Sequence, residues 1–237
     1  MQSAFETTGA VDPRAGTQEP APTRRFALIG VVIAFGWPLI FFIPGVSGHN
    51  ITNIRDGAVN IGVKWLVVAG LSLIAFRTQR RPPSELGIRG ARWRDVPAAV
   101  TGVIIGIVLS GVAIYTVATP PSVDDLQEIA TVPVILRVAL VVTAGICEEF
   151  IYRSFAIEEM TCLTGKRWLS AVIAWAFFTV GHAQLYHLST ALIVPGTLGA
   201  VLTMLYLWQR NLASCALIHA IVDAMFLVIL PALVQTA

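Results

Sequence analysis

Long apolar runs and short polar segments alternate along the chain from Phe26 to its end. Seven of these runs approach the length of about 20 residues that an α-helix needs to cross the hydrocarbon core of a bilayer. They cover residues 26–44, 57–76, 96–118, 133–157, 168–186, 190–208 and 212–234. Short segments of alternating hydrophobicity, which are typical of membrane β-barrels, are not visible. The pattern therefore predicts an all-α fold, a polytopic membrane bundle of about seven transmembrane helices.

Two polar segments lie outside the apolar runs. Residues 1–25 are rich in Thr, Gly, Pro and Ala and show no apolar periodicity. Such a segment cannot bury enough apolar surface to order itself, so we expect a disordered tail followed by a transmembrane domain at residues 26–237. Residues 119–132 contain Asp124, Asp125 and Glu128 and predict an acidic loop or a short surface helix.

The composition supports a membrane protein. Hydrophobic residues make up 56% of the chain and charged residues 13%, against about 25% charged residues in an average soluble domain. The net charge of +2 is too small to indicate a nucleic-acid partner. Lys and Arg concentrate instead in residues 77–94 and 153–167. Because basic segments tend to stay in the cytoplasm, we expect the N-terminus inside, the C-terminus outside and an integral protein of the plasma (inner) membrane.

Several polar residues in the runs carry weak functional signals. The three cysteines have neither a disulfide framework nor zinc-type spacing, and we expect buried free thiols: Cys147, Cys162 and Cys215. Three further residues lie within two turns of a predicted membrane edge: Asn60, Lys64 and Arg137. We expect these side chains to snorkel toward the interface, because snorkelling removes their polar groups from the hydrocarbon.

Two adjacent carboxylates, Glu148 and Glu149, lie inside the fourth apolar run. A charge near the bilayer centre costs several kcal/mol, so such residues usually face a wetted cavity and have a function there. Neighbouring residues of a helix point about 100° apart, so the two carboxylates cannot face one cavity in the same way. Arg153 follows Glu149 at the spacing of a helical ion pair, which leaves Glu148 free to act on water. A purely structural ion cluster at the membrane edge is the alternative.

Two other runs carry ionisable residues at helical spacing. Phe178 and His182 are four residues apart in the fifth run, and His219 and Asp223 are four apart in the last. A single His in an apolar helix usually makes an interhelical hydrogen bond, but the repetition indicates a shared polar site. Asp223 either orients His219 or points into the same cavity. Imidazole and carboxylate also suit a divalent metal such as zinc, although the zincin motif H-E-x-x-H is absent.

These residues belong to three short segments on successive predicted spans. The segments are E-E-F-I-Y-R at 148–153, F-T-V-G-H at 178–182 and H-A-I-V-D at 219–223. In this order they resemble the CPBP family, whose pattern is E-E-x-x-x-R, F-x-x-x-H and H-x-x-x-N or a close variant. The family comprises type II CAAX prenyl proteases and their bacterial bacteriocin-processing and immunity (Abi-like) relatives. The resemblance covers about residues 130–235 and marks them as a protease-like core.

The resemblance implies an intramembrane endopeptidase with a water-filled cavity open to the cytoplasmic side. In that picture Glu148 activates water and His182 helps to hold it, while His219 and residue 223 stabilise the oxyanion. Supporting positions fall on Glu149 and Arg153. The candidate catalytic residues are therefore Glu148, Glu149, Arg153, His182, His219 and Asp223.

The resemblance leaves the cofactor open. Members of the family are described as metalloproteases, and a metal-free glutamate mechanism is also argued for them. The candidate ligands for zinc or another divalent metal are Glu148, His182, His219 and Asp223. Position 223 departs from the usual Asn, whose amide can donate to an oxyanion while an ionised Asp cannot. Asp223 therefore fits metal ligation or orientation of His219 better than oxyanion binding, unless it is protonated.

Three classes of function fit the sequence. The leading hypothesis is hydrolysis of a peptide bond in a peptide or protein substrate within or beside the lipid bilayer. The alternative is a catalytically silent immunity or scaffold protein that binds a peptide or partner in the same cavity. A proton or cation carrier is less favoured, because no internal repeat of the kind found in many transporters is visible.

Overall fold

A computed structural model of the chain describes residues 24–43, 53–90, 92–116, 122–184 and 188–235. Within these ranges the chain is helical and contains no β-strand, so the predicted all-α bundle is confirmed. The tail predicted at residues 1–25 lies, except for its last two residues, outside the described part. The α-helices are α1 Arg24–Gly36, α2 Ile54–Ser72, α3 Val96–Thr116, α4 Val123–Thr131, α5 Val134–Thr143, α6 Ile157–Thr164, α7 Arg167–Gly181, α8 Leu188–Gln209, α9 Leu212–Ala224 and α10 Leu230–Gln235.

Among the described residues, four helical stretches are long and apolar enough to cross a membrane: Arg24–Phe41, Ile54–Thr78, Trp93–Thr116 and Leu212–Gln235. The continuous stretch Val134–Thr164 gives a fifth candidate together with α4, from which it is bent by 99°. The runs predicted at 168–186 and 190–208 also form helices, but their apolar parts are shorter. Helix α7 has 15 residues and is therefore about 22 Å long, less than the roughly 30 Å of a bilayer core. The count of seven spans is not confirmed.

The acidic segment before the fourth span forms the short surface helix that was one of the two expected outcomes. Ser122 caps α4 through a reciprocal pair of hydrogen bonds with Asp125, which satisfies backbone donors at the start of the helix. Leu126 and Ala130 bury the apolar face of α4. The carbonyl of Ala130 accepts a 3.0 Å hydrogen bond from Gln235 Nε2, which ties α4 to α10.

Wide π-helical turns interrupt the helix that carries the glutamate pair. They occupy Ala144–Glu148 and Phe150–Ala156, and the described residues contain two more π turns, at Leu73–Thr78 after α2 and at Met225–Ile229 after α9. Such turns often occur at functional sites, because they re-aim side chains within a helix. Gly145 lies in the first turn and allows α9 to approach it closely. A Cβ atom on Gly145 would lie 2.7 Å from the carbonyl oxygen of Ala216 in α9. The two helices can approach this closely because residue 145 has no side chain.

The helix with the glutamate pair lies at the centre of the bundle. Helix α9 packs against its first π turn, α1 and α7 pack against its second, and α2 packs against α5. Helix α8 contacts α3, α7 and α9 and closes the other side. The core between these helices is largely apolar and includes Phe155, Phe178 and Leu202. This packing brings residues from five helices around Glu148.

The basic segment between α2 and α3 is fixed to one end of the bundle. Ser154 Oγ donates a 2.6 Å hydrogen bond to the carbonyl of Leu86, and Arg81 pairs with the buried Glu159. Asp95 accepts hydrogen bonds from Arg89 and from Asn211 Nδ2, the latter at 2.9 Å. This end of the bundle is therefore held together by side chains of the polar segment itself.

Two expectations for the weaker polar residues are wrong. Asn60, Lys64 and Arg137 do not reach out to an interface; all three are buried between helices. Arg137 donates a 3.1 Å hydrogen bond to the carbonyl of Leu227, which lies within the π turn after α9. Cys162 is exposed on α6, because the helix turns that residue away from the packed core, whereas the other two cysteines are buried as expected.

Candidate functional site

A cavity of about 190 Å³ opens between the helices beside Glu148. Its wall includes four of the six residues that the sequence singled out: Glu148, His182, His219 and Asp223. Further lining residues come from α2, α3, α5 and α8, among them Lys64 and Ser110. Each water molecule needs at least about 10–15 Å³ of such space, so several fit. The structure thus gathers carboxylates and imidazoles from three separate helical stretches around one polar space.

Glu148 is held at the wall by a residue from another helix. Lys64 Nζ of α2 lies 2.6 Å from Glu148 Oε1, and both residues are buried, with 8% and 5% of their surfaces exposed. The other oxygen, Oε2, forms no hydrogen bond with any described residue. It lies 3.7 Å from His182 Nε2. One carboxylate oxygen is therefore fixed by an ammonium group, and the other faces an imidazole.

His182 directly follows α7 and is oriented by the helix it terminates. Its Nδ1 lies 2.8 Å from the carbonyl oxygen of Phe178. A carbonyl only accepts hydrogen bonds, so Nδ1 carries a hydrogen and donates it. In the neutral ring Nε2 is then left as an acceptor on the side of Glu148. A backbone contact thereby fixes both the tautomer and the direction of the ring.

Glu149 points away from the cavity, as the angle between neighbouring helical residues requires. It is fully buried, and its Oε1 accepts hydrogen bonds from Arg153 at 2.9 Å and from His219 Nδ1 at 2.8 Å. The pairing of Glu149 with Arg153 that the sequence predicted is therefore present. Through the same oxygen Glu149 also orients His219, a link that spacing within one helix does not reveal.

The Phe178 ring packs against the guanidinium and both imidazoles. Arg153 lies over its face at 4.0 Å, and the rings of His182 and His219 are 4.5 and 6.0 Å from its centre. Arg153 also donates a 3.1 Å hydrogen bond to the carbonyl of Gly199. Gly199 has no room for a side chain, since a Cβ atom there would lie 2.8 Å from Phe178. The position four residues before His182 therefore helps to place the other motif residues.

His219 and Asp223 complete the wall on α9. His219 Nε2 lies 3.5 Å from Asp223 Oδ2, and the Asp223 side chain keeps 27% of its surface exposed. One imidazole nitrogen thus faces Glu149 in the protein interior, while the other lies beside Asp223 at the cavity. All six predicted site residues lie in one connected cluster, four on the cavity wall and two behind it.

One comparison with known proteins gives a match. Residues 130–225 match the family model Rce1-like, described as type II CAAX prenyl endopeptidase Rce1-like. The predicted resemblance is confirmed. The matched region contains all six predicted site residues, and at the level of the family it supports a CAAX-type intramembrane protease, and so a peptide hydrolase. No curated protein and no solved structure matches the chain.

The arrangement of donor atoms in this cluster decides whether it can hold a metal ion. In the part of the chain that the structure describes, no group of three or more His, Cys, Asp or Glu side chains is arranged to hold a metal ion. Lys64 places an ammonium group against Glu148, which is the central candidate ligand, and His219 is turned toward Glu149. As arranged, these residues do not fit a divalent ion, and the zinc suggested by the sequence stays a prediction.

Lys64 is the site residue that sequence reasoning missed. It lies outside the matched region, and a Lys near a predicted membrane edge usually snorkels. A signal was nevertheless present. Asp56, Asn60 and Lys64 follow each other at intervals of four along α2, and all three are buried. Such a polar stripe on an otherwise apolar helix indicates a face turned toward protein instead of lipid.

Proposed function

We propose that the protein is an endopeptidase that hydrolyses a peptide bond within the membrane by means of a water molecule activated by Glu148. The observation that carries the proposal is the pair of acceptors on the cavity wall, Glu148 Oε2 and His182 Nε2, 3.7 Å apart. One water molecule can donate a hydrogen to each of them. Its oxygen lone pairs then point into the cavity, where a substrate carbonyl would lie.

The first step forms the tetrahedral intermediate. The water oxygen attacks the carbonyl carbon, its proton passes to Glu148 Oε2, and the electron pair of the C=O double bond moves to the carbonyl oxygen. His182 keeps the water aligned through Nε2, which Phe178 holds in place. Holding water and substrate in this geometry lowers the entropic part of the barrier.

The second step breaks the peptide bond. The intermediate collapses, the C–N bond cleaves, and the proton held by Glu148 passes to the leaving nitrogen, so that Glu148 returns to its ionised form. His219 in its doubly protonated form can donate from Nε2 toward the oxyanion, because Glu149 receives the hydrogen on Nδ1. Asp223 beside Nε2 then orients the ring and does not itself bind the oxyanion. No step of this scheme passes through a metal.

The test is hydrolysis by purified protein in proteoliposomes. The substrates are internally quenched peptides with an apolar flank, offered with and without a prenylated cysteine. We expect cleavage by the wild type and a loss on the order of 10²-fold or more in kcat for Glu148→Gln and His182→Ala. Glu128→Gln, which removes an exposed carboxylate of α4, is the matched control and should be unaffected. Equal turnover in all four proteins would refute the proposal.

A catalytically silent binding protein is the second candidate, and one observation favours it. The carboxylate that would act as the base is held by the ammonium of Lys64 at 2.6 Å, and such pairing weakens a base. This candidate predicts that wild type and Glu148→Gln bind the same peptides with equal affinity and that neither cleaves them. Cleavage that depends on Glu148 excludes it.

The side on which the cavity opens is a separate proposal. The basic segment joins the end of α2 to the start of α3, whereas the lining residues Asn60 and Ser110 lie near the opposite ends of these helices. If the basic segment is cytoplasmic, the cavity lies in the half of the bundle farther from the cytoplasm, which disfavours the cytoplasmic opening that the family resemblance implies. Labelling of Asn60→Cys with an impermeant maleimide, in intact cells and in inverted vesicles, decides between the two sides.

A further inference from the structure

We propose that Lys64 is a catalytic residue of this site and supplies the positive charge that stabilises the oxyanion. This proposal rests on the hydrolytic function proposed above and adds a residue outside the region of family resemblance. The geometry that points to it is the close contact between Lys64 Nζ and Glu148 Oε1 on the wall of the same cavity.

Asp223 removes a hydrogen-bond donor from the place where the oxyanion forms. The family pattern usually has at this position an amide, which can donate a hydrogen bond to an oxyanion. An ionised carboxylate has no hydrogen to donate and repels a second negative charge. His219 Nε2 is then left as one donor on this wall, and a second donor has to replace the missing amide; the described cavity lining includes the cationic side chain of Lys64. An ammonium group has three hydrogens, so its contact with Glu148 leaves it able to donate to a second acceptor.

The negative charge moves from Glu148 to the substrate during the proposed reaction. Before attack, the negative charge lies on Glu148, and the ammonium of Lys64 pairs with it. When Glu148 takes the proton of the water, this carboxyl group becomes neutral and the negative charge appears on the substrate carbonyl oxygen. The positive charge of Lys64 stays close by, so its attraction passes from the carboxylate to the oxyanion. Such a fixed charge is most effective in a site that excludes bulk water, where electrostatic interactions are strong.

Lys64 occupies an energetically costly position. A buried cation in a membrane helix is expensive unless it is paired, and such residues usually have a function. Lys64 is 8% exposed, although the next residue of α2, Trp65, is 43% exposed. Arg55 on the same helix is exposed, so α2 carries one cation inside the bundle and one outside it. The buried position of Lys64 thus calls for an explanation that topology alone does not give.

The experiment compares two neutral variants, one charged variant and a control. Lys64→Met removes the charge at nearly constant length, Lys64→Gln keeps a hydrogen-bond donor for Glu148, and Lys64→Arg keeps the charge. Arg55→Met removes a cation from the outer part of the same helix. We expect both neutral variants to lose on the order of 10²-fold in kcat with KM unchanged, because the lost interaction forms only in the transition state. Lys64→Arg should retain more activity than either, and Arg55→Met should match the wild type.

Small amines give a second measurement. In Lys64→Ala, ethylammonium chloride should restore kcat in a saturable manner, whereas tetramethylammonium, which has no hydrogen to donate, should not. A residue needed only for folding would show no such rescue. Unchanged kcat in Lys64→Gln, or absence of rescue in a folded Lys64→Ala protein, overturns the role of Lys64. The proposed function fails separately, namely when the wild type itself does not cleave peptide or when Glu148→Gln is as active as the wild type.

Discussion

Arg153 provides the sharpest test of how the site is held together. The residue is 1% exposed, its guanidinium lies 2.9 Å from Glu149 Oε1 and 3.1 Å from the carbonyl of Gly199, and it covers the ring of Phe178. In Arg153→Met the apolar volume is largely kept, but the buried Glu149 loses the guanidinium and keeps only its contact with His219. Breaking a buried ion pair from one side typically costs about 3–5 kcal/mol.

A second substitution should restore part of the stability that Arg153→Met loses. In Glu149→Gln with Arg153→Met both charges are gone, and a Gln at position 149 can still accept the hydrogen bond from His219 Nδ1. Replacing both members of a buried pair is often close to neutral, so we expect the double variant to be more stable than Arg153→Met alone. Arg167→Met is the control, because Arg167 is partly exposed and its partner Glu158 keeps a second cation, Arg210, at 3.1 Å, so a smaller loss is expected.

The assay is reversible unfolding of the purified protein in mixed detergent micelles, followed by helical circular dichroism. The free energies of unfolding of the wild type, the two single variants at positions 149 and 153 and the double variant give the coupling energy of the pair. A double variant no more stable than Arg153→Met, or an Arg153→Met loss no larger than that of Arg167→Met, would refute the view that Glu149 needs a cation at this place.

Two further predictions concern helix contact and topology. Gly145→Ala places a Cβ atom 2.7 Å from the carbonyl oxygen of Ala216, so the helices must separate, and we expect a loss of about 1–3 kcal/mol in unfolding free energy together with lower activity. A Cβ atom on Gly62 of α2 would meet no neighbouring group within 4 Å, so Gly62→Ala should be neutral or slightly stabilising. Equal losses of stability in both variants would contradict the close approach of the two helices at Gly145. Cys162, the exposed cysteine beside the basic start of α7, should react with an impermeant maleimide in inverted vesicles and not in intact cells. Labelling in intact cells would reverse the proposed orientation.

The sequence predicted the helical class and the convergence of the three motifs, and both have a physical reason. Ionisable residues in apolar helices must face one another or water, so Glu148, His182 and His219 were expected to meet even without a partner helix being known. The spacing of Glu149 and Arg153 was sufficient to predict their contact because an ion pair over four residues depends only on the local helix.

Other parts of the site depend on tertiary packing and could not be predicted in the same way. The rotation of α2 about its own axis, relative to α5, decides whether Lys64 reaches a membrane interface or Glu148. Because α2 is apolar on most of its surface, the spacing of its apolar residues does not predict this rotation. The π turns around Glu148 likewise have no signature in the spacing of apolar residues along the sequence. The burial of Arg137 depends on another π turn, since the carbonyl of Leu227 that it binds lies in the turn after α9.

The salt bridge between Lys64 and Glu148 also has a consequence for biogenesis. Its two members are made about 80 residues apart, and ribosomes add roughly 5–20 residues per second, so the ammonium of α2 is synthesised several seconds before its carboxylate partner. During that interval the nascent helix carries an uncompensated charge into the insertion machinery. A nascent α2 is therefore expected to linger at the lateral gate of the translocon, or beside an insertase, until the fourth apolar run arrives and the two helices enter the lipid together.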